Sequence, residues 1–298
     1  MRRLLATLLI AAGPVALRAQ QPSARPSSNT LPAVSPDGSR IAFVSDRDSA
    51  SALFVIGVDG AGEHRIAGGA VQRGRWSADG KEILVTGAGA DSACVVAVNP
   101  GGGGRRLVAT VPGRNAVLSP DAKRAAYLVG PWRRTALAVA NADGSGARFV
   151  AGGRDTAWNP AWSPDGKRLA YTHGDSSRVL QVHVVNADGT GDRAVTHMTA
   201  DEGSAQVPAW SPDGRRLAFQ VSNSRSHRAH IWIVDLESGA VHKLAAHEEA
   251  TLDEAPAWFP DGKRLAFQSN RSGRMEIWVM KDDGSEPRQV TGVRPPRP

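Results

Sequence analysis

Two stretches of this 298-residue chain gather side chains able to do acid–base or metal chemistry. His197, Asp201 and Glu202 form the first; His247, Glu248, Glu249, Asp253 and Glu254 form the second. Imidazoles and carboxylates brought together could ligate a divalent cation or pass protons between an acid and a base. No His-x-x-x-His spacing or comparable ligand motif accompanies them, so no metal is expected. His197, His247, Asp201 and Glu202 stand only as weak metal candidates, and the segments read mainly as an acidic rim, with Glu248 and Glu249 placed at a partner contact.

Positive charge is carried by different segments: Asp46-Arg47-Asp48, Trp132-Arg133-Arg134, Arg225 with His227-Arg228, and Arg271 with Arg274. Arginine and exposed tryptophan are favoured interface anchors. Trp132, Arg133, Arg134, Arg228 and Arg271 are therefore expected to touch a protein or peptide partner. A mixture of acidic and basic segments without a continuous basic stripe argues against nucleic acid.

Covalent and cofactor chemistry find little support. The chain has no Gly-x-Ser-x-Gly elbow, phosphate loop or dinucleotide fingerprint, and no cofactor is expected. Carbohydrate cleavage leaves no linear signature. A small envelope enzyme of polysaccharide lyase or glycosidase type needs only a few carboxylates, histidines and arginines around a channel. Asp201, Glu202, His247, Arg73 and Arg114 are the groups that could supply it.

What must position these residues is a repeat. Ser-Pro-Asp-Gly, with close variants, recurs six times, its aspartates Asp37, Asp79, Asp121, Asp165, Asp213 and Asp261 lying 42, 42, 44, 48 and 48 residues apart. That period suits one four-stranded propeller blade. The chain is therefore expected to be all-β, a six-bladed propeller of four-stranded antiparallel blades over residues 30–292. Serine, proline and glycine each suit their turn position, so every quartet predicts a tight hairpin. In the strand that follows, pairs such as Leu169/Tyr171 and Leu217/Phe219 share one face, while Ala170 and Ala218 keep the other small. Large against small is what adjacent blades need in order to interdigitate. Val34 and Leu118 replace the tryptophan that precedes the quartet elsewhere, Ala78 replaces the proline and Ala122 the glycine. The turns of those blades are expected to be looser.

Alternating strand direction sends the Ser-Pro-Asp-Gly turns and the second, Asp-Gly turns to one end of the ring, the bottom. The remaining loops form the top, which is irregular and so the expected functional face. Lys81, Lys123, Lys167, Arg215 and Lys263 directly follow the bottom turns and read as solvated turn charges.

Residues 1–19 carry a basic start, an apolar run from Leu4 to Leu17 and a small residue, Ala19, which together read as a signal peptide. The run is too short for an ordinary spanning helix. Residues 20–29 and 293–298 are polar, proline-bearing tails. The single cysteine, Cys94, excludes an intramolecular disulfide and sits in an apolar stretch. Loss of the leader's three arginines lowers the formal charge from +7 to +4. A monomer is expected.

The run Pro208-Ala209-Trp210-Ser211-Pro212-Asp213-Gly214-Arg215-Arg216-Leu217-Ala218-Phe219 and its fellow from Pro256 to Phe267 resemble the WD-like repeat of the TolB-type β-propeller. They are also similar to repeats in the propellers of prolyl oligopeptidase relatives and tricorn-type proteases. The TolB resemblance implies an exported scaffold, periplasmic in a double-membraned bacterium, that binds an envelope protein such as a peptidoglycan-associated lipoprotein. Only the ten residues of the tail stand where that family has a separate domain ahead of its propeller.

Overall fold

The quartets fold as their composition dictates. In blade 4, the Gly166 amide donates to the Ser163 carbonyl at 2.9 Å. The Ser163 hydroxyl lies 2.5 Å from an Asp165 carboxylate oxygen, which also accepts the Lys167 amide at 3.0 Å. Gly166 sits at φ 66°, in the left-handed region. The turns with alanine replacements are not looser. Ala122 adopts φ 56° and donates to Ser119 at 2.8 Å, and Gly80 closes the Ala78 turn onto Ser77 at 3.0 Å.

A computed structural model describes residues 28–48, 50–69, 71–88, 92–131, 134–153, 155–244 and 251–292. Blade 1 consists of β1 (Asn29–Val34), β2 (Arg40–Ser45), β3 (Ala52–Gly57) and β4 (His64–Gly68). Blade 2 holds β5 (Val71–Trp76), β6 (Ile83–Ala88), β7 (Ala93–Val98) and β8 (Arg106–Val111). In blade 3 come β9 (Arg114–Leu118), β10 (Arg124–Val129), β11 (Ala136–Asn141) and β12 (Arg148–Gly152). Blade 4 contains β13 (Thr156–Trp162), β14 (Arg168–Gly174), β15 (Gln181–Asn186) and β16 (Arg193–Ala194). Blade 5 is β17 (Ser204–Trp210), β18 (Arg216–Asn223), β19 (Arg228–Asp235) and β20 (Val241–Lys243). Blade 6 ends the ring with β21 (Asp253–Trp258), β22 (Arg264–Ser269), β23 (Glu276–Lys281) and β24 (Arg288–Gln289). Each blade is one antiparallel sheet in sequence order, its first strand innermost.

The core lies between blades. Leu169 and Tyr171 of β14 pack backwards onto Ala126, Leu128 and Leu137 of blade 3. Ala170, on the opposite face, meets Leu217 and Phe219 of blade 5. Burying such side chains contributes roughly 1.5–3 kcal/mol each.

A second layer of contacts clamps neighbouring blades. Arg40, Arg124, Arg168 and Arg216 stack over Trp76, Trp162, Trp210 and Trp258 of the next blade, 4.6, 4.8, 4.7 and 4.6 Å from the ring centroids. The same four indoles donate back across the junction to the carbonyls of Ala33, Val117, Ala161 and Ala209. Arg124, Arg168 and Arg216 also donate to the carbonyls of turn glycines Gly166, Gly214 and Gly262. Each turn proline then lies beside the next blade's turn glycine: Pro36 by Gly80, Pro120 by Gly166, Pro164 by Gly214, Pro212 by Gly262 and Pro260 by Gly38.

The junction of blades 2 and 3 has none of this. Glu82 replaces the arginine and pairs with Arg106 within its own blade, Leu118 replaces the tryptophan, and Ala78 and Ala122 replace the proline and the glycine. Small apolar groups hold this seam, among them Val95, Ala116 and Ala125, together with the buried Thr86 hydroxyl, which donates across it to the Ala116 carbonyl at 2.9 Å. Its inner strands, β5 and β9, pack least of all neighbouring inner pairs.

Among the described residues, each blade keeps its own four strands at the ring closure. Phe259 and Ile277 of blade 6 share a core with Ile41 and Phe43 of blade 1. Asn29 donates its amide to the Met275 carbonyl at 2.8 Å and its side chain to buried Glu276 at 2.6 Å, which also accepts the Thr291 hydroxyl at 2.6 Å. Asn29, expected in the tail, is thus the first residue of β1.

Candidate functional site

The top face is uneven because one hairpin is longer than the rest. β18 and β19 each run for eight residues, against six or seven in the corresponding strands of blades 4 and 6. Their turn exposes Arg225, Ser226, His227 and Arg228, with His227 at φ 53°. Arg225 lies 3.4 Å from Asp201, the two side chains being 76% and 94% exposed, so solvent screens the pair heavily. The Asp201 carbonyl accepts from Asn223 at 2.7 Å, tying the blade 4–5 connection to this hairpin.

The other candidates fall in different settings. Arg134 is exposed on the top hairpin of blade 3. Arg271 is not a surface anchor: it is only 10% exposed, paired with Asp253 at 2.7 Å and stacked against Phe267 and Trp278. This is a structural arrangement, and blade 1 repeats it. Arg47 and Arg271 both donate through Nε to a serine two residues earlier, Ser45 and Ser269, and both lie against aromatic rings. Glu202 is spent on its own loop, accepting the Thr199 amide and hydroxyl at 2.9 and 2.8 Å. His197 is exposed, and no cluster of three or more metal-ligating side chains occurs among the described residues. Trp132, Arg133, His247, Glu248 and Glu249 lie outside the described residues.

The central channel encloses about 590 Å³ and is walled mainly by the inner strands, with the turn prolines at the bottom. Neither Asp201 nor Glu202 reaches it. Arg73 and Arg75, alternate residues of β5, do. Burial inside the ring lowers the pKa of both guanidinium groups, and the Arg73 charge adds to the effect at Arg75. By surface area Arg75 is exposed and Arg73 half-buried, both facing the channel. Sequence reasoning found Arg73 and missed Arg75. The available signal was the column it occupies, where the other blades place Ala33, Val117, Ala161, Ala209 and Ala257.

A blade 4 cluster also escaped notice. His173 and His183 stack with centroids 4.3 Å apart, and His183 Nδ1 lies 3.1 Å from Asp192, which accepts the Tyr171 hydroxyl at 2.8 Å.

Fold and site together define a six-bladed propeller with repetitive bottom turns and an irregular, charged top. The chain belongs to the TolB beta propeller domain family, whose sequence profile matches residues 123–294; that of the lipoprotein LpqB beta-propeller domain matches residues 20–114. The Tol-Pal system protein TolB of Aromatoleum aromaticum is 40% identical over 75 residues, 25% of this chain and 17% of that one. The aligned stretch thus spans under a fifth of that relative's length. The crystal structure of TolB from Acinetobacter baumannii superposes with a TM-score of 0.65 at 18% identity, covering 87% of this chain and 61% of that chain. Oligogalacturonate lyase from Vibrio parahaemolyticus gives 0.59 at 12% identity, over 85% of this chain and 89% of its own. At these identities the structural likeness speaks for the fold alone.

Proposed function

We propose that this chain is an exported, non-catalytic propeller scaffold that binds a protein or peptide partner in the cell envelope through its top-face loops. The carrying observation is the long blade 5 hairpin, which lifts Arg225, His227 and Arg228 onto a face that also holds exposed Arg134 and Asp201. Membership of the TolB propeller family supports the reading, and residues 1–19 read as the leader that exports it. A rigid ring with unlike loops at one end suits recognition of another folded surface. The peptidoglycan-associated lipoprotein of the same organism is the first partner to test.

Isothermal titration of that lipoprotein into the leaderless chain checks this. Saturable binding is expected, weakened roughly tenfold or more by combined Arg134→Ala, Arg225→Ala and Arg228→Ala at an unchanged unfolding midpoint. No binding, or equal affinity in the variant, counts against the top-face assignment.

A further inference from the structure

Arg73 and Arg75 are the anomaly of the ring. The arginines that begin β2, β10, β14 and β18 stack on tryptophans, and Arg47 and Arg271 are paired and stacked. Arg73 and Arg75 share one side of β5, roughly 7 Å apart along the strand, and among the described residues neither guanidinium has a hydrogen bond or ion pair. Among the described residues, no aspartate or glutamate lines the channel they enter. Two like charges side by side on one strand without a counter-ion repel each other and oppose folding, and such a pair persists where something else compensates it.

Local construction shows how they are held there. In five inner strands a bulge puts Leu31, Asn115, Asn159, Val207 or Ala255 at positive φ, near 50°. Blade 2 has no such residue; Arg73 instead pairs in the ladder with Thr86, and Arg75 with Leu84. Gly74 between them packs against Leu53 of blade 1, where an added Cβ would come within 2.6 Å of the leucine methyl. Alternation therefore turns both arginines away from blade 1, towards the seam with blade 3. Here alone the channel reaches past the inner strands, to Leu84, Thr86 and Val95 of β6 and β7. The missing clamp between blades 2 and 3 and the two free arginines meet in one side cleft.

The geometry points to an anion-binding site in this cleft, with the Arg73 and Arg75 guanidinium groups receiving the carboxylate of a small organic acid whose apolar body lies along the blade 2–3 seam. Planar guanidinium forks match a carboxylate in bidentate fashion. Phosphate fits the forks as well, but the wall offers no lysine and is dominated by Val95, Val117, Leu84 and prolines, a surface for hydrocarbon. A volume of about 590 Å³ admits a small molecule, and Arg73 also borders a 90 Å³ recess at the mouth beside Asn115 and Asn159. The carboxylate comes either from a free acid or from the C-terminus of a peptide. This site is separate from the top-face reading and stands or falls without it.

The test is calorimetric titration of the full leaderless chain with three probes: 3-phenylpropionate, inorganic phosphate, and acetyl-trileucine with a free or an amidated C-terminus. Saturable binding of 3-phenylpropionate, cut at least about tenfold by Arg75→Ala and partly retained by Arg75→Lys, supports a free acid. Binding confined to the peptide with a free carboxylate, with the same variant pattern, supports a chain terminus. Phosphate binding alone, no binding to any probe, or equal affinity in parent and Arg75→Ala overturns the proposal. The unfolding midpoint supplies a second readout. An uncompensated charge predicts that Arg75→Ala melts at or above the parent, whereas failure of both variants to fold makes Arg75 a structural residue and also overturns it.

Discussion

His173, like His230, whose pKa burial also lowers, shows how a single side chain contributes to the pH response of this ring. Burial pulls its pKa below the ordinary 6.5, the stacked His183 pushes the same way, and Asp155, Asp192 and Asp175 oppose them. Its folded pKa lies below the unfolded one, so the unfolded chain takes up the proton first. The stabilisation is complete above pH 6.5 and is lost as pH falls through that value towards the lowered one. Urea unfolding from pH 8 to 5 should show a decline setting in near 6.5, shallower in His173→Phe; an unchanged slope in that variant would refute the assignment. Lower down, Asp37 is held at about 2, chiefly by the Ser35 hydroxyl and then by the Ser39 amide, so its share is lost as pH falls from 3.8 towards 2. At this scale the sequence is legible where a residue repeats. The shared pattern Phe43-Val44-Ser45-Asp46-Arg47 and Phe267-Gln268-Ser269-Asn270-Arg271 marks Arg271 as structural, a signal that charge alone concealed. His173 and His183 repeat nowhere, and only the register of β14 against β15 brings them together.

Between elements, the blade 2–3 seam is where the repeat fails. Ala78, Glu82, Leu118 and Ala122 are each visible as departures from a pattern, spread over 44 residues. That they are two sides of one interface follows only from the ring, in which the prolines and arginines of blades 1, 3, 4 and 5 reach the next blade's glycine and tryptophan. With those clamps gone, local opening should cost less here. Deuterium exchange on β5 and β9 should run about tenfold faster than on β13 and β17, the factor that ~1.4 kcal/mol of clamp energy represents. Equal protection across all four strands would mean that the small-residue core compensates fully. The turns were easier to read: their bonds lie within five residues, so Ser-Pro-Asp-Gly dictates them and even Ala122 complies.

On the scale of the whole molecule, six unequal blades close because blade 1 packs onto blade 6 and Asn29 anchors to Glu276 across the join. Blade number, strand order and the division into two ends follow from spacing and turn chemistry. Closure is less legible, since Asn29 and Glu276 are 247 residues apart and nothing local pairs them. The result is a rigid frame whose bottom turns are near copies and whose top loops differ, and the proposal that the top carries function rests on that polarity. Deuterium exchange of the leaderless chain with and without the peptidoglycan-associated lipoprotein tests it most directly. Protection concentrated on the hairpins joining β10 to β11 and β18 to β19, with the six bottom turns unchanged, is the predicted footprint. Protection confined to the bottom turns, or none anywhere at saturating lipoprotein, would contradict the account.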